Sequence, residues 1–547
     1  MNFTNNFMIF PKNIDTYLGQ KGYTINKKDL NNEQIEFIKK TLTIKPYVQG
    51  APNGGNVDSF FAYRESVSKL YVPRYFGEEH FGSPKTFKIN EGEDIDIKFN
   101  GTLRDYQEPV VNKFLNYLRE KPSQSGLLDL YCAWGKTSAS LYMISALKKK
   151  TLVVVHKGFL LDQWVERIKH FLPEARIGVI QGKTVDVENK DIVIGMLQSL
   201  YIKDYPPGTF DSFGFTIFDE VHHISSQEFS NALFRIVTKY MLGLSATMNR
   251  KDGTTYVFKM FLGDIVHKAI REDDTTSVVV RAVDYYVDDN DFNKIEYDYR
   301  GNPLYSTMIS KLCEYNHRSE FILRIISDMM KENEKQQIMV LAHNKNLLKY
   351  LHDAIEHRNI ASVGYYIGGM KEKDRKISET KKIIIATYSM AAEGLDIKTL
   401  TTLIMATPKT DIEQSVGRIL RERHSKPVVV DIIDNQDLFQ NQWKKRKTFY
   451  KKQNYKIIYT NIKNYDPDVS TWDILFNPNG IVSRKNKNTN NTTNKTSINN
   501  SNIFNKIINI KTDIENCDDS DSEDDNNTLC NSVKKDNLLQ GKCLIKL

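Results

Sequence analysis

The sequence predicts an α/β protein: two parallel-sheet domains in tandem, a small N-terminal domain before them and a disordered C-terminal tail behind. Three observations carry this. Short apolar runs alternate with stretches of helical spacing over 101–263, and the rhythm returns over about 335–435. Strands alternating with helices at this pitch imply βαβ units and a parallel sheet. A length of 547 residues allows several domains. Finally, 486–505 holds nine asparagines in twenty residues, too few apolar groups to offset the entropy of ordering.

The elements follow in order. Residues 1–100 mix aromatic, glycine and polar residues and are read as an N-terminal accessory domain. Near its end YVPRYFG (71–77) is either a strand-separating or docking element or plain packing. The first α/β domain, 101–263, contains the strand runs LLDLY, TLVVVH, RIGVIQ, DIVIGM, FTIFDE and MLGLSAT. A connector follows over 264–334, with one apparent strand, SVVVRAVDYYV. The second α/β domain, 335–482, carries QIMVLA, SVGYYIG, KKIIIAT, TLIMAT and PVVVDII, then one more helix. Over 443–457 (WKKRKTFYKKQNYKI) seven bases occur with no acid, and Phe439, Trp443 and Tyr450 fall on one helical face. Its lysines are a solvated face or, in addition, a nucleic-acid-facing surface. Residues 483–547 are the asparagine-rich and acidic tail.

Composition excludes several classes. No apolar run approaches the ~18–20 residues that span a bilayer, and the N-terminus lacks a secretory signal. Five scattered cysteines without CxxC spacing argue against a disulfide framework or zinc site. An intracellular, soluble protein is expected, metal-free apart from a nucleotide-bound ion. The net charge is +8, but residues 512–527 hold eight acids and no base, so the rest of the chain carries +16. That balance permits a polyanionic partner. The acidic segment is a solvating terminus or a nucleic-acid mimic competing for the basic groove.

The strongest chemical signal is LLDLYCAWGKT (127–137), a buried strand running into Gly-Lys-Thr and a helical stretch. Backbone N–H groups of such a loop cradle phosphate oxygens. Lys136 neutralises the β/γ charge, and the Thr137 hydroxyl can ligate Mg²⁺. The long form of the pattern expects Gly where Leu130 stands, and the short form expects Gly at Ala133. Downstream, Phe215–Phe218 ends in Asp219 and Glu220, at the edge where open α/β sheets bind ligands. Asp219 would hold Mg²⁺ through water, and Glu220 would orient and deprotonate the attacking water. The bland alternative is a helix cap. His222 and His223 are read as ordinary polar residues. In DIEQSVGRILRER (411–423), Thr410 and Glu413 have capping-box spacing, and Arg418 and Arg421 share a helical face. Such arginines can stabilise charge on a transferring phosphoryl group.

Together these segments resemble the superfamily-two DExH-type helicases, which carry two RecA-like domains. LRDYQ (103–107) looks like the adenine-reading motif, implying contacts from Arg104 and Gln107. YCAWGKT is similar to the Walker A loop, implying ATP contacts from Cys132, Ala133, Trp134, Gly135, Lys136, Thr137 and Ser138. HKGFLLDQW (156–164) and GMLQSL (195–200) look like strand-contacting motifs, with Lys157 and Gln198 as contacts. DEVHH resembles Walker B, and Ser245-Ala246-Thr247 the coupling motif. In the second domain VLAHNKN and GYYIGGMKEKDR resemble backbone-contacting motifs, with Lys371 implied as a contact. ATYSMAAEGLDIK (386–398) implies strand contact by Thr387 and ATP contact by Gly394 and Asp396. QSVGRILR (414–421) adds Gln414, Arg418 and Arg421 as catalytic residues.

The set is most similar to the xeroderma pigmentosum group B type and to poxvirus transcript-release helicases of large DNA viruses. Arg250-Lys251-Asp252 departs from the Arg-Glu-Asp motif of the former. The resemblance implies ATP with Mg²⁺, movement along or unwinding of DNA with 3′→5′ polarity, and a role in viral transcription or genome metabolism. It also implies partners in transcription or replication, and a host cytoplasm, viral factory or virion location. An RNA helicase and a catalytically silent nucleic-acid-binding scaffold are the alternatives.

Overall fold

The computed structural model describes residues 8–12, 14–46, 59–120, 124–131, 133–223, 226–246, 248, 253–269, 278–393, 397–420 and 426–478. The tail over 483–547 and Arg250-Lys251-Asp252 lie outside the described residues.

The N-terminal part is built on a five-stranded sheet. Its order is Arg64–Glu65, Lys69–Val72, Gly22–Asn26, Thr16–Gly19 and Thr86–Lys88. Period-two alternation sends Leu18, Tyr23, Ile25, Leu70 and Val72 to one buried face. Helix Arg74–Phe81 covers that face. Gly77 is needed at the crossing, because a Cβ there would meet the Tyr23 ring at 2.2 Å. Residues 72–77 of YVPRYFG are therefore packing: Val72, Pro73, Arg74, Phe76 and Gly77 are buried, while Tyr71 stays partly exposed. Arg74 Nη2 donates to the Thr238 carbonyl at 3.0 Å, fastening this part to the next domain.

Two eight-stranded sheets follow. The first runs Thr184–Val185, Ile177–Gln181, Ile192–Met196, Thr151–Val155, Phe215–Phe218, Tyr240–Ser245, Ser125–Asp129, Ile265–Lys268. The second runs Val363–Tyr366, Ile383–Thr387, Ile338–Ala342, Thr402–Met405, Val428–Asp434, Val279–Tyr285, Lys456–Asn461, Asp473–Phe476. Pairing is parallel throughout, apart from the edge strands Thr184–Val185 and Asp473–Phe476. Strands such as Thr151–Val155 and Ile383–Thr387 are buried along their whole length, as parallel strands covered on both faces must be.

Three expectations change. The connector over 264–334 is not a separate unit. Ile265–Lys268 completes the first sheet, while Val279–Tyr285 lies inside the second, between Val428–Asp434 and Lys456–Asn461. The chain also does not fade after one last helix. Helix Asp437–Lys452 is followed by the strands Lys456–Asn461 and Asp473–Phe476, whose backbones extend the second sheet.

The third change concerns the basic helix. Phe439, Trp443 and Tyr450 are buried on one face as expected, but Arg446 is buried with them. Its guanidinium makes two bonds to Asp431, Nε at 2.8 Å and Nη2 at 2.9 Å, and donates to the Lys409 carbonyl at 3.0 Å. Tyr450 donates to the same carboxylate at 2.9 Å. Only Lys444, Lys445, Lys447, Lys451 and Lys452 remain for a basic surface on this helix. Removing one partner of a buried ion pair strands the other charge. Arg446→Met should destabilise the second domain by about 3–5 kcal/mol. Lys444→Gln should leave denaturant unfolding unchanged.

Candidate active site

Parallel sheets deliver the site, because their loops at the carboxyl ends of the strands gather on one edge. The strand Ser125–Asp129 feeds loop 130–135, and helix Lys136–Leu147 starts directly after it. Two residues turn the loop through the left-handed region: Ala133 at φ +68° and Gly135 at φ +92°. Gly135 has no room for a side chain, since a Cβ would lie 2.3 Å from Gln107 Nε2. Ala133, where the family has glycine, carries a Cβ in a conformation that costs an L-residue about 1–2 kcal/mol.

Gln107 is buried and fixes the loop from outside. Its amide accepts from Arg104 N at 3.0 Å and donates to the Trp134 carbonyl at 2.9 Å. Its expected contact with a base would use an amide already tied to the loop. Arg104 is exposed, and its Nη1 donates to Tyr106 Oη at 2.6 Å. The Trp134 ring is buried in the core of the first domain, so this residue offers the site its backbone. Ser138 Oγ donates to the Gly135 carbonyl at 2.9 Å, and Thr137 is half-buried in the first helical turn.

Asp219 and Glu220 arrive from the next strand but one in the sheet. Asp219 is buried and accepts from Trp164 Nε1 at 2.9 Å. Burial, reinforced by the Glu220 charge and opposed by Lys136, pushes its carboxyl above the usual range. Glu220 adopts φ +50°, and its carboxylate pairs with the Lys136 ammonium. Its second oxygen lies 3.4 Å from His222 Nδ1. His222 is the residue the sequence reading undervalued. Its Nδ1 is also 2.6 Å from Ser245 Oγ, and its Nε2 is 3.2 Å from Gln414 Nε2 in the second domain. Phosphate loop, carboxylates, coupling segment and second domain are thus one polar chain. The available signal was position: histidine stands fourth in DEVH. Trp164 had none beyond closing HKGFLLDQW.

The second domain departs more from expectation. Helix Glu413–Gly417 starts after Ile412 without a side-chain cap, so Thr410 and Glu413 form no capping box. Glu413 is the first helical residue rather than the third, too early to reach back. Arg418 opens a 3-10 turn, and its buried side chain donates from Nε to the Ala391 carbonyl at 2.7 Å. Cys132, Thr247, Gly394, Asp396 and Arg421 lie outside the described residues. Ala246 is half-buried beside Ser245.

The four expected strand contacts stand at carboxyl ends of strands or just beyond them. Lys157 precedes helix Gly158–Phe171, and Gln198 donates to the His156 carbonyl at 2.9 Å, joining two motifs. Thr387 ends its strand with Oγ1 3.4 Å from Ser389 Oγ. Lys371 is exposed before helix Glu372–Glu379, whose Arg375 reaches Asp162 of the first domain at 3.6 Å.

Comparison with known proteins decides the family. The type III restriction enzyme res-subunit family matches residues 100–250, and the helicase conserved C-terminal domain matches 319–423. A protein of Acanthamoeba polyphaga mimivirus, "Putative ATP-dependent RNA helicase L396", is 36% identical over 458 residues, covering 81% of this chain and 87% of its own. The chain belongs to the superfamily-two helicases. It is a nucleic-acid-dependent ATPase of helicase type, similar to those of large DNA viruses. An African swine fever virus protein also named as an ATP-dependent RNA helicase is 26% identical over 402 residues, covering 69% of this chain and 78% of its own. One from Invertebrate iridescent virus 6, named only as a helicase, is 24% identical over 463 residues, covering 79% and 99%. Among the described residues of this helicase no helix is long and apolar enough to cross a membrane, and no acid, histidine or cysteine cluster suits a separate metal site.

Two tests follow from the geometry. Ala133→Gly should stabilise the loop by about 1 kcal/mol and keep nucleotide affinity, whereas Gly135→Ala should abolish nucleotide binding in a titration. Asp219→Asn removes a carboxylate whose folded pKa is raised. The charged form is a burden on folding only above the ordinary carboxylate range. The variant should therefore melt higher than the parent at neutral pH, with no gain at about pH 3.

Proposed function

We propose that this helicase is an ATP-driven translocase that moves along one nucleic-acid strand, closing and opening the cleft between its two sheets with each turnover. The polar chain from Lys136 through Glu220 and His222 to Gln414 carries the reading. It links the phosphate loop to the facing domain through side chains alone, so a change at the phosphate alters a contact between domains.

The residue roles follow from chemistry. Lys136 would exchange Glu220 for the β/γ-phosphates, freeing Glu220 to orient and deprotonate water. A buried carboxylate and a hydroxyl, Asp219 and Thr137, are hard oxygen donors of the kind Mg²⁺ accepts. Bound there, the ion would neutralise charge on the phosphates. Trp164 holds the Asp219 carboxylate in place. Gln107, Arg104, Trp134, Gly135 and Ser138 shape the nucleotide pocket, and the resemblance of the motifs adds Cys132, Gly394 and Asp396 as ATP contacts. Gln414 follows the nucleotide state through His222. Arg418 and Arg421 would stabilise the γ-phosphoryl charge on closure, once Arg418 leaves the Ala391 carbonyl. Ser245, Ala246 and Thr247 would pass the change to Lys157, Gln198, Lys371 and Thr387 on the strand.

The resemblance of the motifs favours DNA and 3′→5′ movement, while two relatives carry RNA in their names. ATP turnover measured side by side with single-stranded DNA, duplex DNA and RNA separates these readings. Glu220→Gln should abolish the stimulated turnover in every case while leaving ATP binding intact. Turnover equal to the parent's would remove Glu220 from the role of base.

A further inference from the structure

The N-terminal sheet has a second face, on which only part of the surface lies against the first α/β domain. Its buried face is covered by helix Arg74–Phe81. On the other face the strand register aligns Tyr17 with Thr24, and Thr24 with Tyr71. Two tyrosines therefore stand on one face, two strand spacings or about 10 Å apart. Thr24 between them is only 1% exposed, whereas both rings remain partly open to solvent.

Lysines crowd these rings. The Lys88 ammonium lies 4.4 Å from the Tyr17 centroid and that of Lys69 5.2 Å, while Lys21 lies 5.3 Å from the Tyr71 centroid. Lys69 also donates to Tyr17 Oη at 3.1 Å. Among the described residues none of the three lysines forms an ion pair. The contrast lies within the same domain, where Lys27 and Lys39 share Glu65. Positive charge at Tyr17 and Tyr71 is thus left unneutralised by protein.

We infer that this face is a second binding surface for a single nucleic-acid strand, with bases stacked on Tyr17 and Tyr71 and phosphates held by Lys21, Lys69 and Lys88. Aromatic rings spaced along a basic sheet face fit unstacked bases. Duplex DNA presents no free base faces to them. The surface is held to the motor, because Arg64, in register with Tyr71, donates to the Asn231 carbonyl at 3.3 Å and lies over Phe234 at 5.2 Å. A strand engaged by the motor and continuing onto this face would add contacts that depend on its length. The inference rests on the translocase reading and extends it to the N-terminal domain.

The test compares homopolymer strands of about 8 and about 40 nucleotides, the shorter near the size of one binding site. Two variants of the full chain are used: Lys21→Gln with Lys69→Gln and Lys88→Gln, and Tyr17→Leu with Tyr71→Leu. Both should lose about tenfold or more in affinity for the long strand, yet bind the short one and turn over ATP with it like the parent. The lysine variant should also flatten the slope of log affinity against log salt by about 2. Long-strand affinity equal to the parent's in either variant overturns the inference. So does a loss confined to the lysine variant, which would point to contact with phosphates alone instead of stacked bases. If a variant melts early, ultraviolet crosslinking of the long strand to unaltered protein decides: adducts on Tyr17 or Tyr71 are expected, and their absence overturns it. A parent that binds neither strand sinks the translocase reading as well, whereas variants matching a binding parent sink the surface alone.

Discussion

The contact between Lys136 and Glu220 organises this molecule. Lys136 is the first residue of its helix, where the backbone N–H groups already concentrate positive charge, and no acid lies in that turn to offset it. Its side chain is 13% exposed and that of Glu220 18%, so neither charge is well hydrated. Two charges so placed need each other or a substitute of equal sign. A triphosphate is such a substitute for Glu220. The left-handed backbone at Glu220, the Trp164 bond to Asp219 and the His222 bridge keep the carboxylates where that exchange can occur.

The exchange can be felt elsewhere because His222 touches both sides of it. One ring nitrogen faces Glu220 and Ser245, and the other faces Gln414. The imidazole therefore serves as a rigid two-ended spacer. Arg375 and Asp162 give the two domains a further contact.

Much of this was legible in the chain. Short apolar runs rich in β-branched residues, such as TLVVV and KIIIAT, read as fully buried strands, and Gly-Lys-Thr with Asp-Glu at strand ends marks phosphate chemistry. The failures have physical causes. Arg446 sat in a run of bases, where composition does not separate the one side chain that turns inward. Its spacing from Trp443 and Tyr450, three and four residues, did place it on the apolar face. The KIIYT strand is short and follows a helix, so its pairing with Val279–Tyr285 had no local signature. Thr410 and Glu413 had the right separation, but the helix began one residue after Ile412. The reach of His222 to Gln414 joins residues far apart in sequence, and no local pattern encodes it.

The position of Val279–Tyr285 has a consequence for how the protein is made. This strand leaves the ribosome early, directly after the first sheet is complete. Its neighbours Val428–Asp434 and Lys456–Asn461 emerge roughly 150 and 180 residues later. During synthesis the first domain can close on its own, while the inner strand of the second waits with both edges unpaired. Such edges invite pairing with other chains. The second domain is thus the slow and vulnerable half of the nascent polypeptide, and its rescue depends on the late strands Val428–Asp434 and Lys456–Asn461.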